Sequence, residues 1–245
     1  MALIQTEGFI LNSKNVGDAD RLITLLSIDR GVLKLFAHNV RRAKSSLGGS
    51  LQPFARVEVC FTEGKSYSLR QCTVVESFRQ LREDLTMMSY AAVVAELIIQ
   101  LWPEGEGDQI LYELTAQTFK LLSESNPRLV ALAASWQLLS IAGFAPELKV
   151  CVHCGKVLGA THDFCRFAVS SGGLSCSNCA TAEATMLTPT ALTLLTKLIT
   201  LDLSSPGHFT VAGSDLTQVE KIFIDYLLCH SEQPLKSLAF IHSIA

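Results

Sequence analysis

The stretch Arg56-Val-Glu-Val-Cys-Phe-Thr62 carries a large apolar residue at every second position, and this alternation decides how the first third of the chain folds. A period of two is typical of a β-strand with one buried face, because successive side chains point to opposite sides. Five further short β-prone runs lie around it, separated by turn sequences: Glu7–Leu11, Arg21–Ser27, Val32–Ala37, Tyr67–Gln71 and Thr73–Phe78. Six short strands without a long helix between them predict a small antiparallel β-barrel.

After Phe78 the hydrophobic period becomes that of a helix. Apolar residues on both sides of the stretch 85–102 predict a helix that is buried around most of its circumference. Five more helices are predicted downstream: Asp108–Glu124, Pro127–Ala142, Pro189–Leu201, Asp215–His230 and Leu235–Ser243. We therefore expect an α+β multidomain protein with a strand-rich domain at residues 1–80 and a helical domain at residues 81–245.

Charge is distributed unevenly along the 245 residues. The chain as a whole carries a net charge of −3, which alone argues against a nucleic-acid binder. Residues 1–80, however, hold 11 Lys and Arg against 7 Asp and Glu, a net charge of +4, and the remainder carries −7. The basic first third is therefore the part of the chain in which a polyanion partner is expected.

Two Cys-x2-Cys pairs interrupt the helical part of the sequence. Cys151 and Cys154 form the first pair, and Cys176 and Cys179 form the second after 21 intervening residues. Each such turn places two thiolates on one side, so the two pairs predict one tetrahedral Zn²⁺ site in a module at residues 149–182. Four cysteine ligands leave no open coordination position, which makes the expected zinc structural.

Other uses of these cysteines fit the sequence less well. Their surroundings are too polar for four ordinary buried thiols. Disulfides are disfavoured because the N-terminus does not resemble an export signal and no segment predicts a membrane span, which favours a reducing cytoplasm. His153 and Cys165 lie near the pairs, but we do not predict either as a ligand.

The segment 32–44 combines cations with an aromatic ring. In a strand, Leu33, Leu35 and Ala37 would face the barrel interior, while Lys34, Phe36 and His38 would point outward. Single-stranded nucleic acid requires both elements, cations for the phosphates and a ring on which a base can stack. The predicted DNA-binding residues are Lys34, Phe36, His38, Arg41, Arg42 and Lys44, with Arg21, Arg56 and Arg70 as further contacts. The alternative is that Phe36 packs under the C-terminal helices and the charges form a solvated rim.

No motif predicts catalysis. Gly64-Lys-Ser resembles the end of a phosphate-binding loop, but the preceding glycine is missing and the segment joins two strands rather than a strand and a helix. The chain has neither a His-Glu-x-x-His metalloprotease motif nor a Gly-x-Ser-x-Gly nucleophile elbow. We therefore expect a protein that is not an enzyme.

Taken in order, several short motifs resemble the RecO family of bacterial DNA repair and recombination mediators. The motifs span essentially the whole chain: Glu7-Gly-Phe-Ile-Leu, Gly17-Asp-Ala-Asp-Arg-Leu-Ile-Thr-Leu-Leu-Ser, Asp29-Arg-Gly-Val, Lys44-Ser, Leu51-Gln-Pro-Phe, Ala95-Glu-Leu, Gly143-Phe-Ala-Pro-Glu-Leu, Gly172-Gly-Leu-Ser-Cys and Lys236-Ser-Leu-Ala-Phe. The chain keeps all four cysteines, which vary among family members. It departs from the family in its basic segment, where His38-Asn39 stands in place of a frequent glycine.

The resemblance implies an N-terminal OB-fold and a C-terminal helical domain with an inserted four-cysteine zinc module. It further implies binding to single- and double-stranded DNA and annealing of complementary strands coated by single-stranded-DNA-binding protein, whose C-terminal tail is an expected contact. RecR, and in some contexts RecF, are the implied partners for loading RecA onto gapped DNA. The expected location is the cytoplasm, in association with the nucleoid.

Two other classes of function stay open at this point. One is an adaptor whose zinc module and barrel bind only proteins. The other is a zinc-dependent hydrolase, which an all-cysteine site disfavours because it offers no position for a reacting water.

Overall fold

The computed structural model describes residues 2–42, 45, 47–158, 166–207, 209–231 and 233–244. The chain divides into two compact units, Met1–Pro127 with Lys236–Ala245 and Arg128–Leu235. The first unit contains the strand-rich part together with some of the helices, and the second contains the four cysteines. The predicted domains, residues 1–80 and 81–245, stay a prediction about which segments fold independently.

A closed five-stranded barrel forms the start of the first unit. Its strands are β1 (Leu3–Val16), β2 (Asp20–Ser27), β3 (Gly31–Ala37), β4 (Arg56–Thr62) and β5 (Tyr67–Glu76). They close in the order β1-β2-β3-β5-β4, with β1 long enough to pair with both β2 and β4. This order and strand number are those of an OB-like barrel, so the predicted fold class is confirmed.

Two details of the predicted barrel were wrong. The runs predicted as fifth and sixth strands are one strand, β5, because β4 pairs with it from Ser68 to Glu76, through Cys72, the residue that separated the two predicted runs. Arg70 and Val75 are extra residues in this pairing, and each forms a β-bulge. The barrel is also not wholly antiparallel, since β3 and β5 close it through a short parallel pairing.

Seven helices are described: α1 (Gln80–Glu83), α2 (Leu85–Leu101), α3 (Gln109–Leu122), α4 (Pro127–Ile141), α5 (Pro189–Thr200), α6 (Gly213–His230) and α7 (Lys236–Ile244). Asp84 and Asp108 cap the N-termini of α2 and α3 through their carboxylates. As predicted, α2 is buried on most sides. Among the described residues, no helix is long and apolar enough to cross a membrane.

An aromatic cluster joins the outer surface of the barrel to α3. The Phe9 ring on β1 lies 4.9 Å from Tyr112 and 5.7 Å from Phe119, measured between centroids, and Phe54 lies 5.5 Å from Phe119. Tyr112 also donates a hydrogen bond of 2.6 Å to Glu7. Buried aromatic pairs of this kind contribute about 0.5–1.5 kcal/mol beyond their area, so α3 is an integral part of the first unit.

The last helix is held to α2 by one carboxylate. Glu96 accepts hydrogen bonds from the backbone N–H groups of Lys236 and Ser237, at 3.0 and 2.9 Å, and from the Ser237 hydroxyl at 2.6 Å. These N–H groups belong to the first turn of α7, where no intrahelical acceptor exists. Glu96 therefore caps a helix that lies 140 residues away in sequence.

The second unit is built around Trp136 of α4. The Trp136 side chain is 0% exposed and packs against Phe223 and Tyr226 of α6 at centroid distances of 5.6 Å, and against Phe167 at 6.4 Å. Gln137, the next residue, donates to two carbonyl groups at the end of α5. A small sheet completes the unit, with β6 (Arg166–Ala168) between β7 (Gly173–Ser175) and β8 (Thr185–Met186).

A tight contact joins the β2–β3 turn to the loop between α2 and α3. Gly31 adopts a positive φ of 61°, and a Cβ at this position would collide with the Glu106 carbonyl oxygen. Gly17, in the β1–β2 turn, has a similar φ of 55° but open space around it. A residue with a side chain would therefore strain the backbone at either position. At Gly31 its Cβ would also clash with Glu106.

We expect Gly31→Ala to loosen the β2–β3 hairpin much more than Gly17→Ala. The positive φ costs an alanine about 1–2 kcal/mol at either position, and overpacking at Gly31 adds a further 1–3 kcal/mol or so. Hydrogen exchange of the β2 and β3 amide groups in both variants measures this difference. Equal protection in the two variants would show that the loop does not constrain the turn.

Candidate functional site

β3 separates its side chains between the barrel core and the surface. Leu33 and Leu35 lie in the core, Lys34 is exposed and Phe36 is half-buried on the outside. The strand register places Leu22 of β2 directly opposite Phe36, and residues directly opposite share a face. Phe36 therefore stands on the outer surface of the barrel, as the alternation predicted.

The same register adds a cation that the sequence did not reveal. Lys14 of β1 lies opposite Leu22, and Ser68 of β5 lies beside Phe36, so a row crosses four strands as Lys14, Leu22, Phe36 and Ser68. Lys14 is exposed. Sequence reasoning missed it because the first strand was predicted to end at Leu11, and only the pairing with β2 shows where the continuation of β1 lies. We refer to these four residues as the cross-strand row.

A turn stabilised by Asp20 follows the row. The Asp20 carboxylate accepts a hydrogen bond of 2.7 Å from the Asn39 N–H and lies 3.0 Å from Nδ1 of His38; these two contacts hold the pKa of Asp20 below its usual value. Asn39 has a φ of 59°, the left-handed conformation that glycine adopts most readily and asparagine tolerates. Asn39 thus supplies the left-handed residue that this turn requires without a glycine. The His38 ring stacks parallel to Phe36.

Arg41 and Arg42 lie at the same end of the barrel as this turn. The Arg41 N–H and guanidinium donate to the carbonyl groups of Ala19 and Gly17, each at 3.0 Å. Arg42 donates its N–H to Asn39 and, like Arg41, has an exposed side chain. Lys44, also predicted to contact DNA, lies outside the described residues.

The other residues predicted to contact DNA differ in their burial and in their hydrogen-bond or ion-pair partners. Lys34 forms a 2.6 Å ion pair with Glu104. Arg56 lies between Glu7 and Glu76, at 3.9 and 3.7 Å. Arg21 is half-buried opposite Ala37, on the other face of β2 from Leu22, and Arg70 donates to the Thr62 hydroxyl. The structure thus places Phe36, His38, Arg41 and Arg42 at one end of the barrel, with Lys34 one outward position further along β3. It gives Arg56 two carboxylate partners elsewhere on the barrel.

The four predicted thiols come together in the second unit. The Sγ atoms of Cys151, Cys154, Cys176 and Cys179 all lie within 4.8 Å of one another, and those of Cys154 and Cys176 are 3.8 Å apart. Four sulfurs bound tetrahedrally at about 2.3 Å from one ion would be separated by about 3.8 Å. The cluster therefore has the donor set and the size to hold a metal ion.

Local backbone structure positions each pair. Gly155 has a positive φ of 70° and donates its N–H to the Cys151 carbonyl, which turns the chain back after the first pair. The Val152 N–H donates a hydrogen bond to the Leu174 carbonyl of β7. This bond holds the first pair beside the strand that leads into Cys176. The Cys179 N–H then closes the second turn on the Cys176 carbonyl.

Electrostatics within the cluster favour a bound cation. The Cys176 N–H, 3.4 Å from Sγ of Cys151, is the largest of several backbone contacts that lower the pKa of the Cys151 thiol to about 6. Hydrogen bonds from the Cys179 thiol to Cys176 and Cys154 raise its pKa to about 12. Without a cation, the Cys179 thiol therefore keeps its proton at neutral pH, because ionisation would place a second thiolate beside that of Cys151. A bound metal ion would release this proton by neutralising the negative charge. Cys165 lies outside the described residues.

Sequence comparisons agree with this architecture. The family model described as Recombination protein O N terminal matches residues 1–78, and Recombination protein O C terminal matches residues 82–239. The chain is 31% identical over 249 residues to DNA repair protein RecO of Symbiobacterium thermophilum, which covers 100% of this chain and 98% of that protein. It is 32% identical over 245 residues to DNA repair protein RecO of Pelotomaculum thermopropionicum, which covers 98% and 94% respectively. The barrel, the cysteine cluster and these matches along its whole length together show that the chain belongs to the RecO family of DNA repair proteins.

Proposed function

We propose that this protein is a DNA-binding mediator of recombinational repair that is not an enzyme. It anneals complementary single strands and, with RecR and RecF, helps to load RecA onto DNA coated with single-stranded-DNA-binding protein. It acts in the cytoplasm at the nucleoid. The observation that carries the proposal is the outer face of the barrel, where Phe36 lies in the cross-strand row with Lys14, close to the exposed Arg41 and Arg42.

The chemistry of this face suits a single strand. Phosphates are neutralised by Lys and Arg side chains, and an aromatic ring offers stacking that tolerates any base. Annealing then follows without a catalytic group, because two strands whose phosphates are neutralised can approach and pair by their own complementarity. The same cations would contact the backbone of double-stranded DNA.

The acidic remainder of the chain confines this binding to the barrel. Residues beyond 80 carry a net charge of −7, which repels a polyanion. We propose that these residues serve instead as scaffold and as contact surface for RecR, RecF and the C-terminal tail of single-stranded-DNA-binding protein. The support for these partners is membership of the family.

We further propose that the cysteine cluster holds one structural Zn²⁺. Thiolates are soft ligands, and tetrahedral coordination by four sulfurs is typical of zinc. With all four positions occupied, the ion has no place for a reacting water, which disfavours a hydrolase. Its role is to fix the two cysteine turns and β7 relative to one another.

A protein adaptor without direct DNA binding is the second candidate. The ion pair between Lys34 and Glu104 favours it, because a lysine that already has a carboxylate partner contributes less to phosphate binding. The same holds for Arg56 between its two carboxylates. Failure to shift a labelled single-stranded oligonucleotide at low salt would support this alternative.

The salt dependence of DNA binding tests the basic face. Affinity for single strands should fall with salt at about −0.7 in log–log slope per phosphate contacted, so Arg41→Ala with Arg42→Ala should flatten the slope by roughly 1.4. Fluorescence anisotropy of a labelled oligonucleotide across a salt series gives the slope. Arg79→Ala with Lys120→Ala removes the same charge from another part of the first unit and serves as the control. An equal slope in the wild type and the Arg41–Arg42 variant would remove this segment from the site.

Metal removal tests the zinc. Chelation should increase hydrogen exchange in β6, β7 and the cysteine turns, while the barrel amides stay protected, because the ion constrains only the second unit. Cys154→Ser should lower the zinc content measured by elemental analysis, and Cys229→Ser, an exposed cysteine on α6, should not. Unchanged protection after complete metal loss would contradict a structural role.

A further inference from the structure

A cavity of about 490 Å³ lies where the end of α2 meets the outer face of β3. Its wall on the β3 side is formed by Val32 and Lys34. The opposite wall is formed by the end of α2 and the residues that follow it: Ile99, Gln100, Leu101, Trp102, Pro103 and Glu104. All of these residues belong to the first unit.

The cavity continues the proposed DNA-binding face. Val32, Lys34 and Phe36 are successive outward residues of one strand, so each step between them covers about 6.6 Å. A step of this size is close to the length of one extended nucleotide. A single DNA strand with a base on Phe36 would therefore place its next phosphate at Lys34 and its next base in the cavity.

Trp102 distinguishes this cavity from an ordinary surface depression. It is the C-cap residue of α2, where its N–H still bonds to the Ile98 carbonyl at 3.0 Å, so its backbone position is fixed by the helix. The side chain is partly exposed and lines the cavity. Trp136, by contrast, is 0% exposed in the core of the second unit.

We propose that this cavity binds one base of single-stranded DNA, stacked on the Trp102 indole, with the adjoining phosphate at Lys34. The inference rests on the proposed function, since it extends the DNA path from the cross-strand row. An indole provides a broad π-face that accepts any base, which suits a protein that must bind strands of any sequence.

Glu104 competes with a DNA phosphate for Lys34. Its carboxylate forms the 2.6 Å ion pair with Lys34 in the free protein, and it would repel a phosphate placed there. Both side chains are about half exposed, and exposed ion pairs contribute little to stability. An entering phosphate therefore displaces the carboxylate from Lys34, and Glu104 lowers the affinity of the site without closing it.

Intrinsic fluorescence tests the stacking, because the chain has only two tryptophans. Titration of the full-length protein with unlabelled oligo-dT should quench emission from Trp102 and leave that of the buried Trp136. Trp102→Phe should abolish the quenching while retaining a ring for stacking, so its affinity should stay within about threefold of the wild type. Trp102→Ala should weaken binding about 5- to 100-fold.

Two further variants complete the test. Ile110→Ala changes an exposed apolar residue of α3 in the same unit, and both its affinity and its quenching should equal those of the wild type. Glu104→Gln keeps the shape of the side chain and removes its charge. It should tighten binding about two- to fivefold at low salt by releasing Lys34.

The outcomes separate the two proposals. If anisotropy shows binding of labelled oligo-dT but wild-type emission does not change, or if Trp102→Ala binds like the wild type, the base site is refuted and the DNA-binding function stands. Weaker binding by Glu104→Gln would refute the assigned competition at Lys34. If anisotropy detects no binding at low salt, the proposed function and the base site both fail.

Discussion

Burial of Leu33, Leu35 and Ala37 inside the barrel fixes which side chains of β3 remain outside. A shift of one residue in the β2–β3 register would reverse every side chain of the strand and place Lys34 in the core. Burial of an unpaired ammonium group costs several kcal/mol or more, so the register has no close competitor. The outer face that we assign to DNA therefore results from the same packing that closes the barrel. Substitutions of core residues would therefore alter this outer face, although the core residues themselves never contact DNA.

The carboxylates of the protein itself determine how much of its positive charge is available. Lys34 and Arg56 have acidic partners, and His38 is held by Asp20. Lys14, Arg41 and Arg42 are exposed, and the Arg41 contacts are to backbone carbonyl groups, which leave its charge uncompensated. Counting lysines and arginines in the first 80 residues thus overstates the effective charge. The position of the exposed cations Lys14, Arg41 and Arg42 around the cross-strand row, rather than the total charge, supports a DNA interface.

Features that depend on local pattern were predictable from the sequence. The alternation in β3 correctly placed Phe36 outside, and the spacing of the cysteine pairs anticipated the cluster. Features that depend on partners distant in sequence were not predictable. Lys14 joins the site only through strand pairing, and the ion pair of Lys34 requires a residue 70 positions away. The sequence-based prediction divided β5 at Cys72, and only the pairing with β4 shows that the strand continues through this residue.

The contact between Glu96 and the start of α7 has a consequence for the order in which the chain acquires its structure. Residues 236–245 belong to the first compact unit, yet the ribosome synthesises them after the entire second unit. Until they emerge, the face of α2 that they cover lacks its neighbour, and Glu96 lacks the N–H groups that it caps. The first unit is therefore begun before the second unit, and it is completed only after the whole second unit has been synthesised.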